Sequence, residues 1–356
     1  MIKKILIVNP FGIGDVLFSM HVVQALKNAL PQVRLGFLGN ERTIELLKMN
    51  RSIDVCHTFN RDELRAFRRR SPGAFLSRIL QYVRQIRREH YDVLLDLSLG
   101  REFSFVAFCL GIPKRIGFDY RGRGFFLTHK TGFTGYESKH VVDWQLSLLK
   151  HLDVKIPSGP FELSLEVSSP AARRAAARLK TLGFSGTDYF AVAPGGGRSW
   201  GENAVFKQWA PERFAEVGNA WASRHAAGVL LLGDSEERSL LEQVRLGLSA
   251  PCAVACDEPL ESVCAMLKQA RFLLCNDGGL LHLANALGVK TVSIYGPVDE
   301  TCYGPYGKGA AHQVLTEPVP CRPCYRQFHF PPCAHRRRCL EELSVEKVLV
   351  AVEKIS

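Results

Sequence analysis

A chain of 356 residues exceeds one ordinary domain and predicts two, of roughly 150 to 180 residues each. A 46% hydrophobic content and a mean hydropathy near zero exclude a disordered or fibrous protein, and no run approaches the ~20 apolar residues needed to cross a bilayer. The formal charge of +11 falls mainly on the first half: residues 1–166 hold 25 Lys and Arg against 16 Asp and Glu, whereas residues 167–356 hold 21 against 19.

The first apolar run, Ile5–Val8, stops at Asn9-Pro10 with no small-residue cleavage site after it. It therefore reads as a strand rather than an export signal, and a cytoplasmic protein is expected. A Gly12-Ile13-Gly14-Asp15 turn follows, and Val16, Leu17, Met20, Val23, Leu26, Ala29 and Leu30 then recur at helical spacing up to Pro31. Val33–Leu38 reads as a strand, Ile44–Met49 as a helix, Val55–Phe59 as a strand, the stretch through Arg88 as a basic amphipathic helix, and Val93–Leu97 as a buried strand. Nine arginines lie between Arg61 and Arg88, Arg68, Arg69 and Arg70 among them, against only Asp62 and Glu63. Such a density suits phosphate groups or an anionic membrane, or else a solvated helix face.

A linker with a short strand is expected near Pro157 to Pro170, then an Ala/Arg-rich helix over 171–182. The pattern restarts with strands Tyr189–Ala193, Gly228–Leu232, Phe272–Cys275 and Val289–Tyr295, and a helix at Phe214–Ser223. Each of these strands ends in a polar or glycine-rich turn. Alternating strands and helices predict parallel sheets covered on both faces, with ligands at the carboxyl ends of the strands. The expected division is an N-terminal Rossmann-like domain over 1–165, a second over 166–340 that carries a Cys-rich segment at 320–340, and a C-terminal helix over 341–356 packing back on the first domain.

The first turn fails the dinucleotide fingerprint, because position 17 is Leu17 where a third glycine or alanine belongs. What remains is Gly12 and Gly14, which let the backbone approach a ligand, and Asp15 at or near a helix start. Asp15 is either a helix cap or a general base. In the second half Pro194-Gly195-Gly196-Gly197 leads to Lys207-Gln-Trp-Ala-Pro211, and Asn276-Asp277-Gly278-Gly279-Leu-Leu-His282 opens a further helix. Open backbone N–H groups, a lysine and helix starts suit a diphosphate. Asn276 and Asp277 are candidates for sugar or ribose hydroxyls, Asp277 being otherwise a helix cap, and Glu236, with Asp234 and Glu237, for ribose or adenine, or else a surface-exposed acidic turn. His282 is either part of that site or a packed histidine.

These blocks, with Tyr295-Gly-Pro, resemble glycosyltransferase family 9, the lipopolysaccharide heptosyltransferases, and the Cys-rich segment favours the heptosyltransferase II-like branch. The resemblance implies an α/β GT-B fold of two doubly wound Rossmann-like domains facing across a cleft. It implies inverting transfer from an ADP-heptose donor, bound by the second domain, to a lipopolysaccharide inner core or related phosphorylated, lipid-linked oligosaccharide, bound by the first. Asp15 falls on the family's proposed base, Lys207 on its phosphate-binding lysine, and Asp277 with Gly278 and Gly279 on its donor turn. Gly278 and Leu281 depart from the family pattern, which bears on the choice of sugar.

No Asp-x-Asp is present, so no catalytic metal or cofactor is expected. Cys321, Cys324, Cys333 and Cys339 have a spacing able to wrap one structural zinc, or are reduced, packed thiols. The expected protein is a monomer that touches the inner face of an anionic membrane and binds no nucleic acid. Two alternatives stand beside it: a nucleotide-sugar epimerase of similar architecture, and a basic nucleic-acid-binding protein.

Overall fold

The computed structural model describes residues 2–60, 71–137, 139–155, 161, 163, 165–184, 186–307 and 311–356. Arg68, Arg69 and Arg70 lie outside them. The chain divides into two compact units, Met1–Ser164 and Leu165–Ser356. Among the described residues no helix is long and apolar enough to cross a membrane.

In the first unit the order is β1 (Lys4–Val8), α1 (Ile13–Ala29), β2 (Arg34–Asn40), α2 (Ile44–Lys48), β3 (Val55–Phe59), α3 (Pro72–Glu89), β4 (Val93–Asp96), α4 (Glu102–Cys109), β5 (Lys114–Tyr120), β6 (His129–Phe133) and α5 (Val141–Ser147). The six strands are parallel in the order β3-β2-β1-β4-β5-β6, with Val8 level with Leu38 on one side and Asp96 on the other. The order in which the chain adds strands reverses between β1 and β4, and that is the sheet's switch point. Ile5 to Val8 are buried on both faces, as a central parallel strand requires. β5 and β6 escaped the sequence pattern because Lys114, Arg115, Asp119, His129 and Lys130 interrupt their apolar residues.

The second unit repeats that topology. Its order is α6 (Ser169–Thr181), β7 (Tyr189–Ala193), α7 (Pro211–His225), β8 (Gly228–Gly233), α8 (Arg238–Gly247), β9 (Cys252–Cys256), α9 (Leu260–Gln269), β10 (Leu273–Asn276), α10 (Gly279–Ala286), β11 (Thr291–Ile294), α11 (Glu300–Tyr303), β12 (His312–Leu315), α12 (Arg338–Glu341) and α13 (Val345–Glu353). The sheet runs β12-β11-β10-β7-β8-β9, so the switch point lies between β7 and β10. Its core joins Phe190, Trp209, Phe214, Trp221 and Phe272, with the Phe190 and Phe272 rings stacked at 4.8 Å. The strand expected between Pro157 and Pro170 does not form among the described residues there.

Leu343, Val348, Ala351, Val352 and Ile355, in and beside the C-terminal helix, belong to the second unit's core. The Trp209 indole donates to the Leu343 carbonyl at 3.1 Å, and Arg224 on α7 pairs with Glu353 at 3.0 Å. The apolar face of α13 is therefore spent on its own unit.

Candidate functional site

In the second unit three loops converge at the switch point. β7 runs into Pro194-Gly195-Gly196-Gly197, and these glycines have distinct reasons to be there. A Cβ on Gly196 would collide with the Ala204 carbonyl, and Gly197 has φ +80°, a conformation that other L-residues rarely adopt. Asn276, at the end of β10, closes the switch point. Its amide donates to the Pro194 carbonyl at 2.6 Å, and its oxygen accepts from the Trp209 N–H at 3.1 Å. One buried carboxamide thus ties the glycine turn to the loop that carries Lys207. Each end of its side chain makes one internal bond, so Asn276 is fixed in the site by Pro194 and Trp209.

Lys207 and Asp277 meet there. Nζ lies 2.7 Å from Asp277 Oδ2, and both side chains are buried. The ammonium also sits 5.0 Å from the centre of the Trp200 ring, a cation–π contact. His282 Nε2 is 3.9 Å from Asp277 Oδ1, and His282 is itself buried. Burial, reinforced by the Asp277 carboxylate, drives the Tyr295 hydroxyl far above its ordinary range and keeps it neutral. Taking two charges out of water costs several kcal/mol each, so this pair is weak evidence for stability and better evidence for a use.

α10 starts beside the pair. Its N-cap is Gly278, in extended backbone with no side-chain cap and no atom nearer than 3.9 Å to where a Cβ would lie. The first N–H groups of this helix are therefore open to an anion. Of the three acidic residues after β8, Asp234 caps the following turn through the N–H groups of Glu236 and Glu237. Glu236 is exposed, whereas the Glu237 carboxylate lies against Gly195, where a Cβ would strike it. The contact with Gly195 brings Glu237 against the turn that follows β7.

The Cys-rich segment packs beside this site. Trp200 meets Tyr325 and Phe330 at 5.0 and 5.2 Å, and the Cys324 N–H donates to the Pro297 carbonyl. Arg322 donates to the Gly296 and Val298 carbonyls and pairs with Glu300, while Arg337 donates to the Val205 carbonyl. These two arginines hold the segment in place. Cys321, Cys324, Cys333 and Cys339 border one small cavity with Phe206 and Phe330. The thiols are used locally: Cys324 donates to the Cys321 carbonyl at 2.9 Å, and Cys333 Sγ accepts from the Arg337 N–H at 3.4 Å. Burial and the neighbouring cysteines push the Cys324 thiol up to about 11. Among the described residues no group of three or more His, Cys, Asp or Glu is disposed to hold a metal ion.

Asp15 belongs to the first unit. Gly12 is the N-cap of α1, with no side-chain cap, and Asp15 lies in the first turn. It is not the cap itself. The Asn9 amide donates to the Asp15 carbonyl at 2.9 Å and to Ser19 Oγ at 2.6 Å, which fixes the turn around Gly12 and Gly14. Across the same switch point β4 ends at Asp96, which sequence reasoning passed over because it closes an apolar run. Its Oδ1 accepts from the Ser98 N–H at 2.9 Å, while its buried Oδ2 has no hydrogen-bond partner. Burial pushes this carboxyl up to about 6.

The model of glycosyltransferase family 9 (heptosyltransferase) matches residues 79–331. Lipopolysaccharide heptosyltransferase 3 of Escherichia coli K12 is 21% identical over 300 residues, 82% of each chain. A glycosyl transferase family 9 structure from Veillonella parvula superposes with TM-score 0.82 at 21% identity, over 99% of this chain and 97% of its own. The E. coli ADP-heptose heptosyltransferase II structure gives 0.77 at 17%, over 99% and 98%. The two Rossmann-like units are thus those of the GT-B fold, and, with its family model matched over most of its length, the chain belongs to glycosyltransferase family 9, the heptosyltransferases.

Proposed function

We propose that this protein moves a heptosyl group, with inversion, from ADP-heptose to the inner core of lipopolysaccharide or a related lipid-linked glycan. The observation that carries this reading is the buried Lys207–Asp277 pair at the second switch point, beside the uncapped start of α10. An ammonium has three N–H donors, and Asp277 takes one. The others, with the open N–H groups of α10 and of the Gly195–Gly197 turn, are suited to the charge that develops on a departing ADP. Asp277 orients the lysine, and the acidic turn of Asp234, Glu236 and Glu237 is assigned to the nucleotide's ribose or adenine.

Asp15, steadied through its backbone by Asn9, is assigned to the acceptor: its carboxylate takes the proton of the attacking hydroxyl. The anomeric carbon gains the acceptor oxygen as it loses the diphosphate oxygen, so one displacement inverts its configuration. Lys207 and the helix N–H groups do the work that a divalent cation would do on the leaving group, and no step needs a cofactor. Family membership favours transfer over the epimerase and nucleic-acid alternatives. Contact with the inner membrane face, a monomeric state and acceptor binding by Arg68, Arg69 and Arg70 remain part of the proposal. The test is proton NMR of the product formed from ADP-heptose and a phosphorylated inner-core oligosaccharide. A single new heptosyl linkage of inverted configuration is expected, and a retained configuration would refute the single displacement.

A further inference from the structure

α4 breaks the rule that a surface helix turns a polar face to water. Its inner side, Ser104 and Ala107, is fully buried, yet its outer side is Phe105 and Phe108, 47% and 54% exposed. The segment 121–128 between β5 and β6 adds Phe125, 81% exposed, and Phe126. Phe126 lies 5.0 Å from Phe105, 5.7 Å from Phe108 and 5.1 Å from Phe125, so the four rings form one patch on the first unit.

The patch is built rather than incidental. Arg115 stands 5.4 Å above the Phe108 ring and donates Nε to the Phe126 carbonyl at 2.6 Å. Asp119 accepts from the Gly124 N–H at 2.8 Å and pairs with Lys130 at 3.0 Å, which shapes the loop and uses up its carboxylate. Glu102 accepts from the Arg101 N–H at 3.0 Å. Arg121 and Arg123 are exposed, with their guanidinium groups 5.0 and 5.6 Å from the Tyr120 ring.

We propose that this patch docks the protein on an anionic lipid surface: the phenylalanines enter the headgroup–acyl boundary while Arg121 and Arg123 contact lipid phosphates. Exposed rings rimmed by arginine match the two signals, apolar insertion and positive charge, that together make peripheral attachment stable. A second copy is the poorer occupant, because a two-fold contact through the rings would bring the two arginine rims toward each other. The inference rests on the transfer reading only in that a lipid-linked acceptor gives the protein a reason to sit on a membrane.

The experiment is co-sedimentation of the full chain with phosphatidylcholine vesicles, with and without phosphatidylglycerol, at low and high salt. Wild type is expected to bind the anionic vesicles. Phe105→Ser/Phe108→Ser/Phe125→Ser should bind at least about tenfold more weakly at both salt concentrations, and Arg121→Ser/Arg123→Ser should lose the anionic preference at low salt. Both variants should keep wild-type melting curves and wild-type transfer to a water-soluble, delipidated acceptor. Vesicle binding by the phenylalanine variant equal to wild type would overturn the proposal. So would absence of wild-type binding together with a wild-type dimer, seen by sedimentation, that the same variant dissolves. Patch-dependent binding without heptosyl transfer would sink the transfer reading and leave the docking surface standing.

Discussion

Lys207 and Asp277 each make the other tolerable in a buried place. Removing one leaves an uncompensated charge, so Lys207→Ala is expected to destabilise the fold by about 3–5 kcal/mol, read by denaturant unfolding. Lys207→Ala with Asp277→Ala should recover a large part of that loss, because the stranded carboxylate goes too; a double variant no more stable than the single one would show that the pair is not coupled. Asp96 gives a pH signature. Its carboxyl is raised to about 6 in the folded state from 3.8, so folding favours its protonated form. That contribution is complete below about pH 4 and is lost as pH rises through about 6, a change of up to about 3 kcal/mol. His21, lowered to about 4 by burial and by His140, acts in the opposite sense over the same window: its contribution is lost as pH falls. The useful quantity is therefore Asp96→Asn minus wild type, expected to grow more favourable to the variant from pH 4 to pH 7. A flat difference would mean that Asp96 stays ionised. The place of Asp15 at a helix start was legible from Gly12 and Gly14, whereas the pairing of Lys207 with Asp277, seventy residues apart, is visible only in the fold. Asn276 could be placed at a strand end from the sequence, but only the fold shows that Pro194 and Trp209 are its partners.

The elements that place these residues are turns more than helices. In the first turn of the second unit, Gly196 must lie close to the Ala204 carbonyl for the loop to carry Lys207 back to β10. Gly196→Ala is therefore expected to lower donor affinity at least about tenfold, through displacement of the loop, while Gly278→Ala, whose Cβ meets nothing nearer than 3.9 Å, should change it little. Titration calorimetry with ADP tests both, and equal losses would show that neither glycine is there for space. Tyr189–Ala193 could be read to the residue because an unbroken apolar run lies between Asp188 and Pro194-Gly195, and Val55–Phe59 because Asp54 and Asn60 bound it. β9, β5 and β12 could not. β9 is half-buried, β5 carries charges within its run, and β12 is a four-residue edge strand whose His312 bonds Asn285 and Thr291.

At the scale of the molecule, the two units share one strand order, and each gathers its polar residues where that order reverses. The restart of the pattern after the linker made both halves visible in sequence. The docking of α13 was not visible, because an amphipathic helix at the end of a chain shows that it has a partner but not which one. A transferase of this kind leaves a donor intact until an acceptor arrives, whereas an epimerase turns over the donor alone. The most direct measurement is ADP release from ADP-heptose, followed with and without a phosphorylated inner-core oligosaccharide, in wild type and Asp15→Asn. Release that requires the acceptor, matches heptose transferred one for one, and falls at least about a hundredfold in Asp15→Asn with unchanged ADP binding is the expected result. Wild-type rates in Asp15→Asn, or equal donor turnover without acceptor, would contradict it.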